Sequence, residues 1–194
     1  MTPFFLASPD QISLLVGESL ETLPAPLAAV AVPASLVKAV IVVESGGDPW
    51  AYNPEPKWRW FWDCRKNRAF RALKPGEVDA EKPPLDFFAP AGVDPDAEWW
   101  GQQASYGLMQ PMGAVARENG FAGKFLAQLH DPGVNIAVGV KHLANYARRY
   151  LGKYGWPGVL RAYNGGPYAC VNNTNPAYVA KVTKAHGGWL PNAA

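Results

Sequence analysis

Apolar residues recur at helical spacing along most of the chain, with glycine and proline between the apolar runs. Leu36, Val37, Val40 and Ile41, for example, mark one buried helix face after Pro33. The pattern predicts helices over 10–23, 33–44, 132–150, 157–163 and 176–186, and shorter helical stretches within 106–119 and 121–129. Ser8 or Asp10 is expected to cap the first helix, and Asp131 precedes proline at the start of another. The fold class is therefore mainly α.

Residues 48–104 break this pattern. They contain eight prolines and six of the eight tryptophans of the chain. This composition predicts loops, within which a short helix at 63–73 and a small hairpin are both compatible with the sequence.

Length and composition limit the classes of function. A chain of 194 residues with 48% apolar residues forms one ordinary domain, and a formal charge of +2 is too small to indicate nucleic-acid binding. The two cysteines, Cys64 and Cys170, exclude a disulfide framework, and two free thiols are favoured over a single bond between them. The three histidines lack metal-ligand spacing, so we expect no metal and no cofactor.

The sequence shows no export or membrane segment. Residues 1–20 lack lysine and arginine, which a secretory signal requires, and residues 24–43 are interrupted by prolines and Lys38. We expect a protein made in the cytoplasm, without stable membrane insertion.

Charge is unevenly distributed. Residues 57–71 hold six basic residues against one acidic residue, residues 77–98 hold seven acidic against one basic, and residues 117–194 hold nine basic against two acidic. These blocks are interpreted either as solvated faces or as a cationic surface that meets an acidic polymer such as a cell wall.

Glu44 is the first candidate for chemistry. It lies at the C-terminal end of the apolar helix predicted over 33–44, before Gly46 and Gly47. A partly desolvated carboxyl group has a raised pKa and can donate a proton near neutral pH, as glycosidic cleavage requires. An ordinary solvated glutamate at a helix end is the alternative.

Three short motifs follow one another in a characteristic order: Glu44-Ser45-Gly46-Gly47, Ser105-Tyr106-Gly107-Leu108-Met109-Gln110, and Ala162-Tyr163-Asn164-Gly165-Gly166. Asn135-Ile136, Gly139, His142-Leu143 and the segment Tyr178–Val182 agree with the same pattern. Over 33–54 and 104–183 the chain resembles the soluble lytic transglycosylases (SLT), which are relatives of goose-type lysozyme.

The resemblance implies a single lysozyme-like helical domain over 1–194, with an inserted loop region at about 55–103. It implies cleavage of peptidoglycan glycan strands between N-acetylmuramic acid and N-acetylglucosamine. Glu44 would act as the lone acid and then as the base, and the product would carry a 1,6-anhydro ring. No second carboxylate would be needed.

The resemblance also implies a set of substrate-binding residues. These are Gln110, Met112, Tyr163, Asn164, Tyr178, Ser105 and Asn53. Tyr163 would bond near the carboxyl group of Glu44, and Asn53 stands where the family often has serine. Structural alternatives are core packing for the tyrosines, a turn cap for Ser105 and a helix C-cap for Asn164.

The insertion is the main departure, because 66 residues separate Glu44 from Gln110. Its tryptophans either form a groove wall or lid, or pack in a satellite core. The tryptophans concerned are Trp58, Trp60, Trp62, Trp99 and Trp100.

Carboxylates of the insertion offer a second mechanism. One of them would activate water opposite Glu44, making an inverting muramidase with carboxyl groups roughly 6.5–9.5 Å apart. Those considered are Asp63, Asp86, Asp94, Asp96 and Glu98, with Asp48 and Glu55 nearer in sequence to the acid.

Three broader expectations complete the sequence-based view. The protein is expected to be a bacteriolytic, antimicrobial enzyme from a phage, either an endolysin or a virion lysin, with a bacterial enzyme as the rival. We expect a monomer. An inert wall-binding module is the alternative to an enzyme.

Overall fold

Helices make up most of the chain in the computed structural model, which describes residues 6–78 and 80–191. The first five residues of the N-terminal stretch, Asp79 of the acidic block and the last three residues lie outside the described part. The helices are α1 Pro9–Glu21, α2 Ala25–Ala28, α3 Ala34–Ser45, α4 Pro95–Gln102, α5 Gly113–Glu118, α6 Pro132–Val171 and α7 Pro176–Ala185. The strands are β1 Tyr52–Pro54, β2 Trp62–Asp63, β3 Arg68–Ala69 and β4 Ala104–Tyr106. The expected mainly α class is confirmed.

The main core surrounds α3. This helix packs against α1 and α7, and α6 packs against the same two helices. Leu36, Val40, Ile136, Leu143 and Leu160 are all fully buried there. Burying such side chains stabilises the fold by roughly 1.5–3 kcal/mol each, and it fixes the end of α3 that carries Glu44.

Helix ends follow local chemistry. Ser8, rather than Asp10, caps α1 by accepting from the backbone N–H of Gln11, and Asp131 caps α6 by accepting from that of Val134. Gly46 ends α3 in the left-handed conformation with φ 63°, which glycine adopts without steric cost.

Helix α6 is interrupted twice. Non-helical backbone at Gly155 and at Gly165–Gly166 divides the span Pro132–Val171 into a long first segment and two shorter ones. These breaks lie close to the predicted ends of the helices at 132–150 and 157–163, whereas the last helical segment, which begins at Pro167, was not predicted. The stretch 121–129 is irregular until a short 3-10 helix, Leu126–His130.

A short antiparallel pair closes the segment between Glu44 and the Gly107 turn. Strand β1 pairs with β4, with Asn53 opposite Ser105 and Pro54 opposite Ala104. The backbone N–H of Glu55 then donates to the carbonyl of Gln103 at 2.6 Å. The two ends of the insertion, residues 55 and 103, therefore lie next to each other.

The helix considered for 63–73 is wrong, and the hairpin considered for this region is present. Strands β2 and β3 pair across a tight turn, in which the Asp63 carboxylate accepts from the backbone N–H groups of Arg65 and Lys66. Asn67 takes a positive φ of 48°, which no helix allows. Helix α4 was not predicted, although Asp94-Pro95 is a typical start.

The insertion has its own small core. Phe61, Phe70, Phe87 and Trp99 bury their rings together, and Phe61 stacks on Trp99 at 3.8 Å between ring centroids. A satellite core is therefore present, but Trp99 is the only one of the five tryptophans in it.

A buried ion pair joins the insertion to the helical body. The Arg117 guanidinium of α5 donates through Nε and Nη2 to both oxygens of Glu98 in α4, each at 2.8 Å. Both side chains are almost fully buried. Arg117 also donates to the carbonyls of Phe121 and Gly123, so its charge is fully hydrogen-bonded.

Arg71 bridges Glu77 and Asp86, so part of the basic block pairs with the acidic block. Cys64 and Cys170 are free thiols. No helix within 6–78 and 80–191 is long and apolar enough to cross a membrane.

Candidate active site

An open cleft of about 600 Å³ lies between the helical body and the insertion. Most residues predicted from the sequence to bind substrate line this cleft. They are Asn53, Ser105, Gln110, Met112, Tyr163 and Asn164, together with the candidate acid Glu44. Tyr178 lines a smaller hollow of about 380 Å³ that also contains Glu44 and Asn164. The residues predicted from the sequence therefore lie around the carboxyl group of Glu44.

Glu44 lies in the last turn of α3, where the buried helix reaches the cleft. Its side chain is half-buried, and burial raises its pKa to about 7. The hydroxyl of Tyr178 donates to Oε1 at 2.6 Å, which partly offsets this rise. A carboxyl group whose pKa lies near neutrality can both give and take a proton at neutral pH, as alternating acid and base roles require.

Two tyrosines frame the carboxyl group from different helices. Tyr178 comes from α7 and makes the direct hydrogen bond. Tyr163 from α6 donates to the carbonyl of Met109 at 2.6 Å, and burial, with a smaller contribution from the nearby charge of Glu44, raises its pKa well above the usual value. Tyr163 thus lies near the carboxyl group as expected, but the hydroxyl that bonds to the carboxyl is that of Tyr178.

Ser45 ties the end of α3 to the turn at 107–110. Its hydroxyl donates to the carbonyl of Leu108 at 2.8 Å. Gly107 has φ 62°, and a Cβ there would lie 2.6 Å from Nδ2 of Asn135, so the turn requires glycine.

Asn135 is a positioning residue to which sequence reasoning gave no role. It is fully buried, accepts from the N–H of Met109 at 2.8 Å, and donates to the carbonyls of Tyr106 and Leu129. An asparagine at a buried helix position was the available signal, because buried amides in proteins are normally hydrogen-bonded.

The side chains of Gln110 and Ser105 are hydrogen-bonded to each other. The Ser105 hydroxyl donates to Oε1 of Gln110 at 2.8 Å, and Nε2 of Gln110 donates to the carbonyls of Ala51 and Gly107. Both N–H bonds of this amide are therefore used by the protein. Only its oxygen retains a lone pair for a ligand.

Glu55 is the insertion carboxylate that lines the cleft together with Glu44. Nδ2 of Asn53 donates to Oε1 of Glu55 at 2.6 Å. Other carboxylates considered from the sequence have structural partners: Asp63 in its turn, Asp86 with Arg71, Asp94 as the α4 cap and Glu98 with Arg117. Asp48 accepts from the N–H of Trp50, and neither it nor Asp96 lines the cleft.

Trp58 and His142 complete the cleft wall. Trp58 of the insertion lines the cleft, in agreement with the groove-wall interpretation. His142 of α6 is buried against Tyr146 and Tyr163, and burial lowers its pKa to about 4. The imidazole is therefore neutral at pH 7, which leaves Glu44 as the group on this wall that titrates near neutrality.

The part of the chain that the structure describes contains no cluster of side chains suited to bind a metal ion. No group of three histidine, cysteine, aspartate or glutamate side chains is placed to hold an ion there.

A helical body that presents a single raised-pKa carboxyl group in an open cleft is typical of the lysozyme-like class of glycan-cleaving enzymes. The family described as Transglycosylase SLT domain matches residues 25–185 of this chain. The chain belongs to this family, the lytic transglycosylases, a class of peptidoglycan-degrading enzymes. This assignment favours an enzyme over an inert wall-binding module. Among curated proteins, none matches the chain.

Proposed function

We propose that the protein cleaves the β-1,4 bond between N-acetylmuramic acid and N-acetylglucosamine, with Glu44 as the single acid and base. One observation carries this proposal. The Glu44 carboxyl group faces an open cleft, has its pKa raised to about 7 by burial, and is held by Tyr178. A group in this state donates and accepts a proton at the same pH.

The reaction proceeds in two proton transfers. Protonated Glu44 gives its proton to the glycosidic oxygen, the bond from this oxygen to the muramic acid anomeric carbon breaks, and the glucosamine chain leaves as an alcohol. The substrate's own N-acetyl oxygen stabilises the positive charge at that carbon. The Glu44 carboxylate then removes the proton of the 6-hydroxyl, whose oxygen bonds to the same carbon. The product is a 1,6-anhydro ring, and the carboxyl group is regenerated.

The remaining cleft residues bind and orient the strand. Met112 offers an apolar contact, Asn164 offers its amide N–H groups, since its Oδ1 accepts from Asn175, and Oε1 of Gln110 offers an acceptor. Tyr178 orients the carboxyl group of Glu44, and Tyr163 holds the 107–110 turn through the carbonyl of Met109. Ser105 acts through Gln110.

A matched pair of variants tests the assignment. Glu44→Gln removes the proton and is expected to lower turnover by about 10²–10⁴, the usual contribution of general acid–base catalysis. Glu18→Gln, at an exposed position of α1, is the control and should match wild type. Clearing of outer-membrane-permeabilised cells is the measurement. Equal clearing by all three proteins, or none by any, contradicts the proposal.

Hydrolysis is the second candidate reaction, and the position of Glu55 in the cleft supports it. Its carboxylate lines the same cleft as Glu44 and is held by Asn53. It would activate a water molecule that attacks the anomeric carbon in place of the 6-hydroxyl.

Mass spectrometry of the released muropeptides separates the two reactions. The anhydro product is one water lighter than the hydrolytic product. Glu55→Gln should leave the anhydro product in place, whereas it should abolish a hydrolytic product. A hydrolytic product that Glu55→Gln removes would replace the transglycosylase mechanism.

Bacteriolysis follows if intact sacculi are the substrate, and the clearing assay measures it directly. A phage origin, an antimicrobial role, synthesis in the cytoplasm and a monomeric state stay predictions from the sequence. Size-exclusion chromatography with light scattering tests the last of these.

A further inference from the structure

His142 has one ring nitrogen that the protein does not use. The side chain is only 7% exposed, and it borders the cleft and the cavity beside it. Its Nδ1 lies 3.3 Å from Nδ2 of Asn119. Within the part of the chain that the structure describes, Nε2 has no protein partner, and the only buried side-chain nitrogen without one is Nε of Arg161. Nε2 of His142 is therefore open to the space that the residue borders.

The hydrogen bonds of Asn119 decide which nitrogen of His142 carries the proton. Nδ2 of Asn119 lies 2.8 Å from the backbone carbonyl of Val115, which can only accept, so this atom is the amide nitrogen. Oδ1 of Asn119 accepts from Nδ2 of Asn145 at 2.9 Å. The second N–H of Asn119 is left for Nδ1 of His142, which must accept it. The imidazole proton is therefore on Nε2.

Burial keeps this imidazole neutral, and two rings hold its plane. Burial lowers the pKa of His142 to about 4, so the ring does not take a second proton at pH 7. Tyr146 packs edge-on against it with 4.5 Å between ring centroids, and Tyr163 lies at 5.3 Å. His142 is thus an uncharged donor of fixed direction. Its Nε2–H can give a hydrogen bond to a ligand and cannot accept one.

A group that only donates selects a ligand by what the ligand can accept. Among the groups of a glycan strand, hydroxyls both give and accept, whereas the carbonyl oxygen of an acetamide only accepts. Val115 borders the same two cavities as His142, and its apolar side chain suits the methyl group of an acetamide. An ammonium group in place of the acetamide has no lone pair, so it would face the donor of His142 with further donors.

We propose that His142, with its tautomer fixed by Asn119, donates from Nε2 to the acetamide carbonyl of an N-acetylglucosamine unit in the cleft. This inference rests on the proposed function, since it assigns a specificity-determining contact to the same substrate. The acetamide of the muramic acid at the cleaved bond serves the reaction itself, so the contact belongs to a neighbouring glucosamine. The enzyme then discriminates against strands whose glucosamine units carry free amino groups.

Nuclear magnetic resonance of the protein with isotope-labelled histidine tests the tautomer without turnover. At pH 7 the ring of His142, assigned by the signals that His142→Phe removes, should be neutral with its proton on Nε2. Asn119→Leu, which removes the amide from Nδ1, should populate both neutral forms. A wild-type ring protonated on Nδ1, or an unchanged tautomer in folded Asn119→Leu, would overturn the inference.

Three substrates test the contact: acetylated strands, the same strands after a glucosamine-specific deacetylase, and deacetylated strands that have been acetylated again. Wild-type kcat/KM is expected to be about tenfold lower on the deacetylated strands, the usual size of the loss when a desolvated donor is left without its partner. Renewed acetylation should restore the activity. Acetylated strands treated with the same reagent are the reference.

A set of histidine variants assigns the preference to one residue. His142→Phe removes the donor and keeps a ring, so it should lower kcat/KM on acetylated strands about tenfold, mainly through KM, and bring the ratio between the two substrates close to one. His142→Gln keeps an N–H donor and should retain part of the preference. His186→Phe, at a histidine that borders neither cavity, is the matched control and should behave as the wild type. Circular dichroism checks that each variant is folded.

Two kinetic outcomes would overturn the inference while the proposed function stands. One is equal wild-type activity on acetylated and deacetylated strands. The other is an equal loss on both substrates in His142→Phe, which would assign this residue a structural role alone. Failure of the wild type to cleave the acetylated strands would instead refute the proposed function itself.

Discussion

The hydroxyl of Tyr178 donates a hydrogen bond to Oε1 of Glu44 over 2.6 Å, although 134 residues separate the two along the chain. Helices α3 and α7 bring them together because both pack in the main core. The bond opposes the effect of burial on the carboxyl group. The tyrosine therefore controls both the direction of the carboxyl group and the pH at which it titrates.

Replacing Tyr178 by phenylalanine is expected to raise the pKa of Glu44 above about 7, because the hydrogen bond that lowers it is lost. The alkaline limb of the kcat/KM profile should then move to higher pH, and kcat should fall several-fold as the carboxyl group loses its orientation. Tyr168→Phe, at a tyrosine that is 72% exposed, is the control. An unshifted alkaline limb in Tyr178→Phe would show that the hydroxyl does not tune the acid.

Glu44 is also expected to make stability depend on pH. Its pKa is raised from 4.5 to about 7 in the folded protein, so between these values the folded state holds a proton that the unfolded chain releases. The free energy of unfolding therefore falls as pH rises through this window. At about 1.4 kcal/mol per pKa unit, the loss at pH 8 amounts to at most about 3.5 kcal/mol.

Urea unfolding of wild type and Glu44→Gln measures this effect. The variant cannot ionise, so it should equal wild type near pH 4 and exceed it in stability at pH 8. A stability difference that is the same at both pH values would contradict the raised pKa. His142, which titrates in the same region, is present in both proteins and cancels in the comparison.

Arg117→Ala is expected to destabilise the protein by about 3–5 kcal/mol, because it leaves the Glu98 carboxylate buried without a partner. The double variant Glu98→Leu/Arg117→Leu should lose less of the free energy of unfolding, since no buried charge remains. Denaturant unfolding of both variants checks the order. A single variant that is as stable as the double variant would argue against a buried pair.

Thiol labelling provides a local measure of the same change. Cys64 lies 3.5 Å from Glu98, and burial together with this carboxylate raises its pKa to about 12. It should therefore react slowly with an alkylating reagent in wild type. The charge of Arg117 lowers the pKa of this thiol, so its loss in Arg117→Ala should raise that pKa further, and labelling of Cys64, mapped by peptide mass, should be slower in the folded variant.

Gly107→Ala is expected to destabilise the fold and reduce activity together. The new Cβ would lie 2.6 Å from Nδ2 of Asn135 at a φ of 62°, which together cost roughly 2–4 kcal/mol. Gly17→Ala is the matched control. Gly17 lies in the interior of α1 with no atom within 4 Å of the added methyl group, so alanine should stabilise by about 0.5–1 kcal/mol. Thermal melts of both variants test this contrast.

Sequence patterns predicted the parts of the molecule in which local and tertiary preferences agree. The apolar face of α3, its glycine end and the position of Glu44 follow directly from residue order. The glycines at 155 and 165–166 were recognised as the places where helices end, and the backbone is non-helical at each of them. Glycine and proline act through local backbone geometry, so their effect is readable from residue order.

The insertion was harder to predict, because its structure depends on contacts that are distant in sequence. Phe61 stacks on Trp99, and Arg117 reaches Glu98 from outside the segment. Neither contact can be predicted from a periodic pattern in the sequence. The site showed the same limit: two tyrosines were singled out, but only three-dimensional packing decides which of them bonds to Glu44.

Strand pairing between Asn53 and Ser105 has a consequence for how this enzyme can change. Because the N–H of Glu55 meets the carbonyl of Gln103, the two ends of the insertion lie side by side. Loops within the insertion can therefore change in length during evolution without altering the spacing between the acid and the Gly107 turn, whereas α4 must keep Glu98 as the buried partner of Arg117.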